Sequence, residues 1–162
     1  MDRIHADGVL QIAGLPLHPL IVHLVVVLTP LTVLALLLGA VWPAARSRLG
    51  ILTPLAALLV LALVPLTVAA GQSLEAVVGT AAVARHEQLG GMLLPWAIAL
   101  FAVSAAQWVW FRFLRTYRTK ALARGIDVAL AAAAVAVGVG TVVLLVLIGD
   151  SGARAVWGGV IA

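Results

Sequence analysis

Polar and apolar residues alternate along this chain in long blocks rather than with a short period. Four uninterrupted apolar runs occupy residues 19–41, 51–70, 92–111 and 128–148, and none contains Asp, Glu, Lys or Arg. Each reaches the ~20 residues that a helix needs to cross a hydrocarbon core of about 30 Å. A soluble core hides one all-apolar helix at most, whereas four in succession require lipid around them. The pattern predicts an all-α fold: a four-helix integral membrane bundle formed by a single four-span domain over residues 1–162.

Composition agrees. The chain is 64% hydrophobic and 10% charged, far from the balance of a soluble domain. There is no cysteine, which removes disulfides, iron–sulfur ligation and thiolate catalysis. The first seventeen residues mix Asp2, Arg3, His5, Asp7 and Gln11 with apolar residues. The run that follows is too long for the apolar part of a secretory signal, so it reads as a retained span.

Charge placement sets the expected orientation. The connection at residues 42–50 carries Arg46 and Arg48, and that at 112–125 carries Arg112, Arg115, Arg118, Lys120 and Arg124, together seven of ten basic residues. The positive-inside rule places these connections in the cytoplasm and both termini on the extracytoplasmic side, in a multi-pass protein of the plasma membrane. The net charge of +4 is thus a topology signal, and no nucleic-acid partner is expected. Trp42, Trp108 and Trp110 fall at the cytoplasmic interface, and Trp96 and Trp157 near the outer one. Asp127 suits an N-cap or first-turn position of the fourth helix. Pro30, Pro54, Pro65 and Pro95 lie within spans and predict kinks. Ala134 and Gly138 form a small-xxx-small pair suited to close helix contact. Ser73 is placed to cap a short surface helix in the 71–91 connection, with Leu74, Val77, Val78 and Ala81 on its apolar side.

The chemistry gathers at the outer ends of the spans. Residues 14–23 read GLPLHPLIVH and bring His18 and His23. Five residues at ~100° each separate these two by about 140° around a helix, with His23 the deeper. His86 and Glu87 precede the third span, and Asp150 and Arg154 follow the fourth. Imidazoles from two helices can hold haem b. His18, His23, His86, Glu87 and Asp150 can instead hold a divalent metal. A third use is proton exchange with a quinone by a His–carboxylate pair. Against these stands a structural role, in which each imidazole bonds a carbonyl of a neighbouring helix. No phosphate loop, nucleophile elbow or zinc-protease helix is present, so no enzyme is indicated. A transporter would need a charged residue mid-span, and there is none.

The string at residues 14–23 resembles the opening of the family catalogued as domain of unknown function 2231, four-span bacterial membrane proteins. The segments RHEQLG (85–90) and IGDSGARAVW (148–157) resemble its actinobacterial branch. In many relatives the position of Asp150 is His. Some relatives are joined to Rieske-type iron–sulfur domains, which implies redox membrane proteins as company. The leading expectation is a small membrane module in the lipid bilayer that binds haem or a metal through His23 and His86, with His18 assisting, and serves electron transfer. The alternative is a non-catalytic structural or accessory membrane protein.

Overall fold

The computed structural model describes residues 11–12, 15–78 and 81–157, with side chains described over 18–72 and 83–157. Two short strands, β1 (Gln11–Ile12) and β2 (Leu15–Pro16), pair antiparallel just before the first helix. The rest is helical: α1 (Leu17–Val41), α2 (Pro43–Leu49), α3 (Leu52–Val78), α4 (Ala81–Gly91), α5 (Leu93–Val109) and α6 (Lys120–Trp157). A π-helical turn at Trp110–Leu114 and a 3-10 turn at Arg115–Tyr117 close α5.

Four helices are long and apolar enough to cross a membrane: His18–Val41, Leu52–Gln72, Val83–Tyr117 and Lys120–Trp157. They form a ring in which α1 and α5 each pack on α3 and α6, and α1 and α5 scarcely touch. This is the up-down-up-down arrangement that short connections favour. Only 22–33% of each apolar window is buried inside the protein. Val27, Leu31, Leu34, Ile98, Val135, Val139 and Val146 point outward and exposed, a surface that a bilayer covers at no cost and water does not.

Two apolar layers fill the interior. One joins Val25, Val60, Val64, Leu93, Ala97, Leu144 and Leu145, and the other Val33, Leu36, Ala57, Leu100 and Ala134. Small residues set the spacing. A Cβ on Gly138 would lie 2.9 Å from Val33 Cγ1, so α6 approaches α1 closely at the Ala134–Gly138 pair. A Cβ on Gly140 would lie 2.0 Å from the Trp96 ring, which therefore lies against the α6 backbone. Trp96 is a packing residue as much as an interfacial one.

The helices outrun the apolar runs, and several expectations change accordingly. The 71–91 connection is a helical hairpin: α3 continues to Val78 and α4 starts at Ala81. Ser73 thus lies inside α3 rather than capping a surface helix, and the side chains of Leu74, Val77, Val78 and Ala81 lie outside the described residues. The 112–125 connection shrinks to Arg118 and Thr119, because α6 begins at Lys120. Asp127 is therefore two turns inside α6 rather than at its start. Pro54 and Pro95 fall in the first turns of α3 and α5, where a missing N–H costs no bond within that helix. Pro30 and Pro65 do lie inside α1 and α3. At the other end α2 opens with Pro43 and stops at Gly50, whose φ of 44° suits glycine.

Candidate functional site

The start of α1, the α3–α4 hairpin and the end of α6 meet at one end of the bundle, since α4 packs on both α6 and α3. His18 enters from the first turn of α1, half-buried, and its Nδ1 lies 2.9 Å from the Thr67 carbonyl oxygen of α3. His86 enters from α4, half-buried, and its Nδ1 lies 3.1 Å from both the Ile148 carbonyl oxygen and Ser151 Oγ of α6. The Ser151 hydroxyl itself donates to Ile148 O at 2.8 Å, which leaves its lone pairs to accept from the imidazole. A carbonyl can only accept, so Nδ1 carries a proton in both rings, and in the neutral imidazole Nε2 then holds the lone pair.

The two histidines are held by the same device. A Cβ on Gly71 would lie 3.1 Å from His18 Cε1 and Nδ1, and one on Gly152 would lie 3.1 and 3.2 Å from the same atoms of His86. In each case the accepting carbonyl belongs to the residue four positions before the glycine, one turn along the same helix face. The bare glycine lets the ring lie close enough to reach that carbonyl. The rings stand 6.3 Å apart between centroids with planes at 88°.

The remaining candidates do not join them. His23 is exposed on the outside of α1, and its Nδ1 bonds the Pro19 carbonyl of its own helix. The partner of His86 is therefore His18, not His23. The separation of about 140° around α1 holds, but the inward direction belongs to the shallower residue. The reason is length: α3 and α4 carry the bundle beyond the apolar run, to the level of His18. Asp150 is exposed and pairs with Arg154 at 2.9 Å. Glu87 is half-buried, next to His86 on α4. Among the described residues no group of three or more His, Cys, Asp or Glu gathers closely enough to hold a metal ion, so the five-residue metal set is not assembled. The signals that sequence reading passed over are Gly71, Gly152, Ser151 and Thr67. Glycines at these positions read as connection residues but are seats for imidazole rings.

At the opposite end Asp127 accepts from Trp110 Nε1 at 2.8 Å and from Arg115 at 2.9–3.2 Å. Trp110 is buried there. Arg46 donates to the Gly39 and Ala40 carbonyls at 2.7 and 2.8 Å, satisfying the last turn of α1.

No curated protein and no solved structure matches the chain. The model of a family described as a predicted membrane protein (DUF2231) matches residues 14–162, which takes in both histidines and all four candidate spans. The chain belongs to that family of membrane proteins.

Proposed function

We propose that this protein is a small electron-transfer module that holds haem b between His18 and His86. The observation that carries the reading is the matched pair of imidazoles, each tied through Nδ1 to a backbone carbonyl of another helix. Such a bond fixes the tautomer, turns the ring and leaves Nε2 basic, as a metal-bound histidine requires. The rings stand 6.3 Å apart between centroids, close enough that His18 and His86 would hold one haem between them, which would supply one-electron chemistry. Haem is favoured over a bare divalent ion because the porphyrin supplies the other four ligands, and among the described residues no third His, Cys, Asp or Glu gathers with the pair.

In this reading the whole chain is one four-span domain of the plasma membrane, with the histidine end outside and the arginine end in the cytoplasm. Its partners are redox proteins of the same membrane. The native absence of cysteine makes single-cysteine labelling direct. An impermeant reagent should leave position 118 unlabelled in intact cells, and labelling there reverses the orientation.

The second reading is structural. Two imidazole–carbonyl bonds clamp α1 to α3 and α4 to α6, and an accessory membrane protein needs no more from them. The absorption spectrum of protein purified from haem-supplemented cells separates the two. The electron-transfer reading expects a Soret band at about one haem per chain, lost in His18→Ala and His86→Ala and kept in His23→Ala. Colourless wild-type protein, with no haem by pyridine assay, leaves only the accessory role.

A further inference from the structure

The end of the bundle remote from the histidines holds a recess of about 700 Å³ that the electron-transfer reading does not use. Its lining includes Arg46, Arg112, Arg115, Phe111, Ser104 and Gln107. Three arginines face it against one nearby carboxylate, Asp127, which is already committed to Arg115 and Trp110. Arg46 spends Nε and Nη2 on the end of α1 and lies 3.3 Å over the Phe111 ring. Its Nη1 makes no bond among the described residues. Arg112 is exposed, makes no ion pair among them, and has its guanidinium 5.2 Å from the centroid of the Phe113 ring. Burial lowers the Arg46 pKa, against the opposing pull of the Asp127 carboxylate and with a further push from the Arg115 cation.

Two neutral polar groups of the lining are unsatisfied. Ser104 Oγ and Gln107 Nε2 are buried and have no hydrogen-bond partner. They lie three residues apart on α5, on one face. Gly39 makes room for the Gln107 amide, since a Cβ there would lie 2.9 Å from Oε1. Buried donors without acceptors are rare in native proteins and call for a partner. The recess thus offers cations and neutral donors together, at the level where apolar helices give way to the basic connections.

We infer that this recess binds the headgroup of an anionic phospholipid, with the phosphodiester on Arg46 and Arg112 and the glycerol and ester oxygens on Gln107 Nε2 and Ser104 Oγ. Guanidinium–phosphate bonds are charge-assisted, and basic pockets between membrane helices are a known seat for such headgroups. A recess in the range of 300–1,000 Å³ takes a group larger than a lone phosphate ion. Phe111 and Trp108 supply the apolar border beside which the first carbons of the acyl chains would lie.

The test uses the full chain in a neutral detergent, with retained lipid counted by native mass spectrometry and melting followed in parallel. Probes are cardiolipin, phosphatidylglycerol, phosphatidylcholine and inorganic phosphate at equal phosphorus. The anionic lipids should raise the melting temperature and stay bound, phosphatidylcholine and phosphate should do neither, and added salt should weaken the effect. Arg112→Gln and Gln107→Leu should each weaken cardiolipin binding at least tenfold, while Arg154→Gln at the other end should not. Arg112 is exposed and makes no ion pair among the described residues, so Arg112→Gln should melt like wild type without lipid, and its lipid binding is read against that baseline. Gln107→Leu distinguishes a built site from diffuse positive charge. If binding responds to Arg112→Gln but not to Gln107→Leu, if phosphatidylcholine binds as well, or if inorganic phosphate gives the whole effect, the inference fails.

Discussion

The two ends of this bundle solve one problem in different ways. At each, a helix end or a bend leaves polar groups where lipid or protein rather than water surrounds them. The histidine end uses neutral donors on neighbouring helices, His18 to Thr67 and His86 to Ile148, each ring seated on a glycine. The arginine end uses full charges: Arg46 on the last carbonyls of α1, and Arg115 and Trp110 on Asp127. The neutral bonds hold each imidazole through Nδ1, whereas the ionic bonds hold Asp127 and Arg115 through several atoms at once. The histidine end is therefore the end held together by the weaker bonds.

The largest expected effect comes from a change that both ends share. Gly140→Ala puts a methyl 2.0 Å from the Trp96 ring, so ring or helix must move. Overpacking of this kind costs about 1–3 kcal/mol, read by denaturant unfolding in detergent, and replacing Trp96 with Leu in the same chain should restore most of it. Next is the arginine end. Asp127→Ala leaves the buried Trp110 N–H without an acceptor, which costs about 1–3 kcal/mol. An equal loss from Asp127→Asn, whose side-chain oxygen still accepts, would show that the hydrogen bond is not what matters.

The histidine end should be softer. His18→Ala or His86→Ala should each cost on the order of 1 kcal/mol, the range of single interhelical hydrogen bonds in membranes. His23→Ala should cost almost nothing, because its bond stays within one helix. Similar losses for His23 and His86 would erase the contrast between inward and outward imidazoles. The smallest effect belongs to Arg154→Ala: its pairing with Asp150 is exposed, and melting should not change.

The spans were legible in the sequence because lipid imposes length and apolarity on every crossing helix. Charge counting also grouped the right connections, since Arg46 and Arg115 do lie at one end and His18 and His86 at the other. Helix ends were not legible. Gly71 and Gly152 fall outside the apolar runs, yet each lies inside a helix, because nothing in a glycine's identity distinguishes a connection residue from a place where a ring must come close. The site was half legible for the same reason. His86 and His18 were both in view, but depth in the apolar run argued for His23. Only the extension of α3 and α4 past that run shows which face of α1 is covered at the level of His18.

Helix α6 spans 38 residues without a break, about 57 Å at 1.5 Å per residue and nearly twice the hydrocarbon thickness. Asp127, which anchors the arginine end, and Ser151, which holds His86, are 24 residues apart on that one rod, a separation of about 36 Å. The seat of His86 and the anchor of Arg115 are thus fixed to one continuous helix, and the distance between the two polar ends of the bundle is set by the number of residues between them.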